Sequence, residues 1–387
     1  MELVAAFLSY ALSFLIVISV VITVHELGHY WVGRIFNAAA ESFSVGMGNP
    51  IFEVKDKRGT RWRVNWLPIG GFVKFVGEIQ APTDKQEAVQ GPVGKSYLDL
   101  GPFQRMAISL GGPAANFIFA IVVFAAMGMA MGVPKAAQVV AISVDAGTPA
   151  EAAGFKPGDQ IIEAGGRKIV TADDISRATM LMAGEPVHYR VRRGADELEL
   201  VATPRQESVT NEGLNVTEKI GRIGLHLENR GLKIYPMNPI EAVSYGVAQT
   251  GENIAATVTV LRRLVTGKDG LDKLSGPIGI VKIAGGGTNA LMKQDGVTLA
   301  SFLTQEALWL IQLATILSIG VGFFNLLPIP VLDGGAVVMC VAEALTGREV
   351  PEKLQRVALT IGVACLVSFA LVISWQDIFR GAPPGSP

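Results

Sequence analysis

Four runs in this chain are so long and apolar that a bilayer would leave each of them one form: Leu3 to Val24, Phe103 to Val133, Leu303 to Leu327 and Val357 to Trp375. A hydrocarbon core of roughly 30 Å takes about 20 helical residues to cross, and it holds no water to satisfy backbone groups, so such a run must close its own hydrogen bonds as a helix. Composition agrees: of 387 residues, 50% are hydrophobic and 17% charged, more apolar than a soluble core of this length needs. The expected fold class is therefore a polytopic α-helical membrane protein with about four transmembrane helices. A formal net charge of -1 offers no basic excess and argues against nucleic acid as a main partner; the lipid bilayer is the partner the composition implies. Cys340 and Cys365 sit in apolar segments without a CxxC spacing and read as small hydrophobes.

The first run resembles a signal peptide in one respect, the small residues of "NAAAES" (Asn37 to Ser42) beyond it. No Lys or Arg precedes it and it is longer than an h-region, so it reads as a retained helix. Basic residues cluster between the first and second runs (Arg34, Lys55, Lys57, Arg58 and Lys74 among them) and between the third and fourth (Arg348, Lys353, Arg356). By the positive-inside rule both loops are cytoplasmic, and the long middle section is outside. Trp31, Trp309 and Trp375 lie near run ends, where interfacial anchors and ordinary packing aromatics both occur.

Five parts follow: 1–133 with two helices, 134–232 as an extracytoplasmic β-rich domain, 233–300 as a connecting segment, 301–380 with two more helices, and a disordered tail over 381–387. Short β-prone runs from Ala137 to Leu227 alternate with turn clusters. Within them "GTPAEAAGFKPGDQIIEAGG" (Gly147 to Gly166) resembles the signature of bacterial PDZ domains, and "IGRIGLHLE" (Ile220 to Glu228) resembles that module's peptide-binding strand, which makes Ile223, Gly224 and Leu225 its candidate peptide contacts. A PDZ edge accepts an extended peptide as an added strand. The stretch from Pro239 to Leu264 has helical spacing with a polar face, and suits either a helix on the membrane surface or a plain connector.

Against this apolar background "VHELGHY" (Val24 to Tyr30) stands out. His25 and His29 are four apart, so a continuous helix projects both from one face, and Glu26 is offset enough to miss a shared metal ion yet reach its water. Two imidazoles suit Zn²⁺, and the glutamate suits a general base. Ionisable groups in or beside a spanning helix are costly and tend to be functional. A hydrolytic zinc site needs a third protein ligand, and the best candidate is Asp333 in "FFNLLPIPVLDGG" (Phe323 to Gly335), where Pro328 and Pro330 interrupt the apolar run and Gly334 and Gly335 permit a bend. "RWRVNWLPIGGFVKFVG" (Arg61 to Gly77) alternates about a Pro/Gly turn and is expected to form a hairpin on itself. "GGPAANF" (Gly111 to Phe117) permits close helix contact and points to Asn116 as an active-site neighbour.

HELGH, GGPAANF, the PDZ-like section, "LSGPIGI" (Leu274 to Ile280) and "NLLPIPVLDGG", in that order over nearly the whole chain, resemble the bacterial site-2 proteases of the regulator-of-sigma-E protease group. The resemblance implies one zinc ion held by His25, His29 and Asp333, Glu26 as the base, and peptide-bond hydrolysis inside the membrane. It implies that Asn325 bonds substrate backbone or the oxyanion. A membrane-dipping β-loop carrying Gly70, Gly71, Phe72 and Val73 would pair with the unwound substrate, with Pro328 and Asn116 among the substrate contacts. Substrates would be single-pass membrane proteins, such as an anti-sigma factor or remnant signal peptides, trimmed first by a site-1 type protease. The location would be the bacterial inner membrane, with the PDZ domain in the periplasm and the active site near the cytoplasmic side. Two departures stand: the chain has room for one PDZ domain where some members carry two, and Ala336 replaces the histidine the group often has after LDGG. A metal transporter would also use membrane His and Asp, but has no need of the glutamate within HExxH. A silent PDZ scaffold would have no need of HExxH at all.

Overall fold

The structure is a computed structural model that describes residues 2–78, 92–211, 216–292 and 298–379, so the tail expected over 381–387 lies outside the described residues. Helix α1 (Glu2–Ile35) leads into strands β1 (Ala40–Lys55) and β2 (Arg61–Phe75) and then α2 (Pro102–Met131). Next come β3 (Val133–Lys135), β4 (Gln138–Val144), α3 (Pro149–Ala152), β5 (Gln160–Ala164), β6 (Arg167–Lys168), α4 (Ala172–Met180), β7 (Val187–Arg193) and β8 (Asp196–Ala202). Strands β9 (Arg205–Asn211), β10 (Val216–Arg222), β11 (Leu225–Arg230) and β12 (Lys233–Tyr235) precede the helices α5 (Pro239–Val265), α6 (Pro277–Met292), α7 (Leu299–Asn325), α8 (Asp333–Thr346) and α9 (Glu352–Phe379).

Among the described residues α1, α2, α7 and α9 contain stretches long and apolar enough to cross a membrane, Tyr10–Ile35, Pro102–Met131, Leu299–Asn325 and Glu352–Ile378. The chain thus has the build of a polytopic helical membrane protein. α1 does not end at the HELGH motif but carries it unbroken on to Ile35, because nothing from Val24 to Ile35 breaks a helix more strongly than Gly28 and Gly33. α6 and α8 are helices that the hydropathy pattern left as connecting segments.

The contacts divide the chain into two compact units. One gathers Met1–Val123, Gln249–Ile254 and Leu274–Phe379. Val17 and Val21 of α1 pack there on Ala284 of α6 and on Leu313 and Ala314 of α7. Trp309 belongs to this packing rather than to an interface, since its indole N–H donates to the Ala284 carbonyl at 3.2 Å, whereas Trp31 and Trp375 are exposed. Buried Asp377 accepts from the backbone N–H groups of Gly276 and Gly279, and so supplies acceptors at the start of α6.

β1 and β2 pair antiparallel in the same unit, but not as the sequence pattern suggests. The 61–77 stretch does not fold back on itself: Pro68 and Gly70 bend β2, and its two halves lie on either side of β1, with Ser42 beside both Arg61 and Lys74, and Phe43 beside both Trp62 and Val73. The reversal falls instead at Asp56, whose carboxylate accepts from the backbone N–H of Arg58 and of Thr60. Phe43, Val73 and Phe75 form a core with Tyr30, Leu100 and Ile108.

The other unit holds Phe124–Ala248 and Ala255–Lys273. Its main sheet runs β11-β4-β5-β7-β8, with β6 paired to β5. β7 alternates buried and exposed residues, the pattern of a strand wetted on one face. Tyr189 and Val191 of β7 pack on Phe155, Ile161, Ile175 and Ile223. Asp159 is completely buried here, and Arg193 grips it with two bonds of 2.7 and 2.8 Å while the Lys156 N–H adds a third at 2.9 Å. Burial alone would raise this carboxyl's pKa; the Arg193 and Lys156 bonds outweigh it and hold the group below the ordinary carboxylate range.

Candidate metal centre

His25 and His29 sit one turn apart on α1 with their ring planes nearly perpendicular, and both are buried. Asp333, the first residue of α8, meets them from the other side. Its placement depends on Gly334 and Gly335, though by close approach rather than by a bend: both are helical, and a Cβ on either would overlap the carbonyls of Leu326, Leu327 or Ile329. The two imidazole Nε2 atoms are 3.1 Å apart. Asp333 Oδ2 lies 3.1 Å from His25 Nε2, and Oδ1 lies 3.4 Å from His29 Nε2.

These spacings suit zinc. Ligands at about 2.0 to 2.1 Å from a tetrahedral ion stand about 3.3 to 3.4 Å from one another, close to all three separations seen here. Proton sharing suits them less well: the two ring nitrogens face each other, and buried Asp333 Oδ2 accepts no hydrogen bond despite the nearby imidazole. Two imidazoles and one carboxylate leave a fourth position open, as in catalytic rather than structural zinc sites.

α2 shapes this group. Gly28 of α1 and Gly111 of α2 touch backbone to backbone, and a Cβ at Gly111 would stand 2.7 Å from the Gly28 carbonyl oxygen. One residue on, a Cβ at Gly112 would collide with His29 Nε2 and stand 2.7 Å from His25 Cε1. His29 donates its Nδ1–H to the Ile108 carbonyl at 2.8 Å, which leaves its Nε2 lone pair for a cation. Pro113, inside α2, has no N–H for the Ser109 carbonyl, the neighbour of Ile108. The Ile108 carbonyl and Gly112 are the elements that motif reading missed, and only the GGP run hinted at them.

Beside the triad opens a cleft of about 600 Å³, lined by His25, Glu26, Val73, Asn325 and Asp333 among others. Gly71, Phe72 and Ala336 also line it, so three of the four expected β-loop residues and Asn325 do gather at the triad. Glu26 accepts the Val73 N–H at 2.9 Å, tying α1 to β2, and the Ser19 hydroxyl donates to the Pro68 carbonyl at 3.2 Å along the same contact. Gly70 is buried outside the lining, and Pro328 lies outside it as well. Asn116 is fully buried and is not part of the cleft wall; its amide nitrogen is 3.2 Å from His25 Nδ1.

In the sheet unit Ile223 is buried in the core, and its carbonyl accepts from Ala150. The Gly224 carbonyl accepts from Asp145, and Leu225 opens β11 beside Val144 of β4.

A triad that fits zinc, a glutamate beside it and spanning helices around it define a class of membrane metallopeptidase, and comparison with known proteins agrees. The model of peptidase family M50, the site-2 protease family, matches residues 13–369, and the chain belongs to that family. It is 38% identical to the metalloprotease MmpA of Caulobacter vibrioides over 389 aligned positions, covering 97% of this chain and 96% of that protein. It is 34% identical both to a protein named as a candidate zinc metalloprotease in Agrobacterium fabrum, with 95% of each chain covered, and to one in Mesorhizobium japonicum, with 96% and 99% covered. The chain is a zinc metallopeptidase of the site-2 protease family.

Proposed function

We propose that the chain is an intramembrane endopeptidase that cleaves single-pass membrane proteins, with His25, His29 and Asp333 as the zinc ligands and Glu26 as the general base. The observation that carries this reading is the triad with ligand spacing at the wall of a cleft that also holds Glu26 and the outer edge of β2. When bound, zinc supplies Lewis acidity, which acidifies water and polarises the scissile carbonyl. Glu26 takes the proton from the attacking water and passes it to the leaving amine. Asn325 hydrogen-bonds the substrate backbone or the developing oxyanion.

An extended peptide adds to β2 beside Gly71, Phe72 and Val73, as an edge strand allows. In the resting chain the Val73 N–H is held by Glu26, so a substrate carbonyl that takes over this N–H also frees the base. The sheet unit acts as a periplasmic PDZ domain, presenting the backbone of Ile223, Gly224 and Leu225 to peptide; the strand order with β11 at an edge supports that assignment. The membrane is a bacterial inner membrane, with the active site near its cytoplasmic side, and substrates such as an anti-sigma factor or remnant signal peptides arrive after a site-1 type protease has shortened them.

The test is Glu26→Gln in proteoliposomes with a single-pass model substrate. The variant should keep one zinc ion per chain and lose cleavage by about 10²-fold or more. Cleavage at the wild-type rate would overturn the mechanism.

A further inference from the structure

A zinc-bound imidazole must offer a bare nitrogen to the ion, and the other ring nitrogen must therefore carry the proton and find an acceptor for it. For His29 that acceptor is the Ile108 carbonyl. For His25 the neighbour of Nδ1 is the side-chain amide of Asn116, with Nδ2 at 3.2 Å. In that orientation the amide donates, His25 Nδ1 must accept, and the neutral ring carries its proton on Nε2, facing His29 and Asp333. Such a ring cannot ligate through Nε2.

Among the described residues, no other bond holds the Asn116 amide in that orientation. It is fully buried, and its Oδ1 has no hydrogen-bond partner. A half-turn of the amide exchanges two ends of nearly equal size and brings Oδ1 to Nδ1. Nδ1–H then donates to Oδ1, and the Nε2 lone pair turns to the metal position. The backbone that carries the amide is held in place: the Ser318 hydroxyl of α7 donates to the Asn116 backbone carbonyl at 3.3 Å, and Gly322 leaves room against the Asn116 Cβ.

We propose that Asn116 is a positioning residue that sets the His25 tautomer, accepting Nδ1–H through Oδ1 in the zinc-loaded state, rather than a substrate contact. This rests on the ligand reading above, and the experiment separates the two. Zinc affinity of the full-length, detergent-solubilised chain is measured by competition with a chromophoric chelator for the wild type, Asn116→Leu, Asn116→Asp and Asp333→Ala. Asn116→Leu removes the acceptor and should weaken zinc binding by about 10- to 100-fold. Asn116→Asp keeps an acceptor and should bind zinc at least as tightly as the wild type. A residue that served only to pack would give the opposite order, because the aspartate adds a buried charge.

Wild-type affinity in Asn116→Leu, or equal weakening in both variants, would overturn the proposal. If Asp333→Ala also bound zinc normally, the ligand reading itself would fall. A readout free of variants uses ring-¹⁵N-labelled histidine in the zinc-loaded wild type: the proposal requires a proton on His25 Nδ1, and a proton on Nε2 contradicts it.

Discussion

Asp159 in the sheet unit and Asp333 in the helical unit are both acids withdrawn from water, and they are treated in opposite ways. Asp159 has no exposed surface and receives two bonds from Arg193 and one from the Lys156 backbone. Asp333 keeps some exposure at the cleft, and its Oδ2 accepts no hydrogen bond while two imidazole nitrogens stand within 3.4 Å of the carboxylate. A structural acid is satisfied by its own fold. Asp333 is left with acceptor capacity that a cation would fill, and that difference distinguishes the two acids where burial alone does not.

The most severe loss is expected at Gly112. Gly112→Ala adds one methyl group where His29 Nε2 must stay open, so zinc affinity should fall by about 100-fold in a chelator competition, with the helices intact by circular dichroism. Unchanged affinity would mean that the nitrogens do not point into the site.

Asp159→Asn is the corresponding break in the sheet unit. It replaces a charge-assisted pair with a neutral one and should cost about 2 kcal/mol, read as lost amide-exchange protection along β7, with zinc content unchanged. Its pH dependence has a definite sign. A carboxyl whose pKa is lowered on folding contributes stability above its unfolded value near 4, and loses it as pH falls through the folded value. Wild-type β7 protection should therefore fall more steeply than that of Asp159→Asn as pH drops below about 4.

The smallest effect belongs to an acid that is not withdrawn at all. Asp145 pairs with His226 at 3.0 Å while both side chains stay about half exposed. His226→Ala should change stability by less than about 0.5 kcal/mol, and a larger loss would show that accessibility is a poor guide to these roles.

The spanning helices were readable because a bilayer forces long apolar runs into one conformation. HELGH was readable because a spacing of four is a statement about one helical face. Asp333 was readable as the partner an incomplete ligand set required. What escaped depended on tertiary fit. Gly285 and Gly287 lower the helix propensity of 277–292, yet α6 is a helix because those glycines admit Tyr10 and Trp309 against its backbone. The Pro/Gly pair in β2 suggested a local reversal, whereas the strand only bends and takes both of its neighbours from β1. Asn116, expected among the substrate contacts, stands fully buried behind His25 and outside the cleft wall, because which way a side chain faces is a matter of burial that spacing does not carry. The Ile108 carbonyl is backbone, and no residue type announces it.

If Asp333 completes a zinc shell with His25 and His29, the zinc content of the chain depends on its carboxylate. Elemental analysis of the purified wild type and Asp333→Asn, each dialysed against the same weak chelator, tests it most directly. The wild type should hold about one zinc per chain and Asp333→Asn should lose most of it, with β7 protection unchanged. Equal zinc in the two proteins would contradict it.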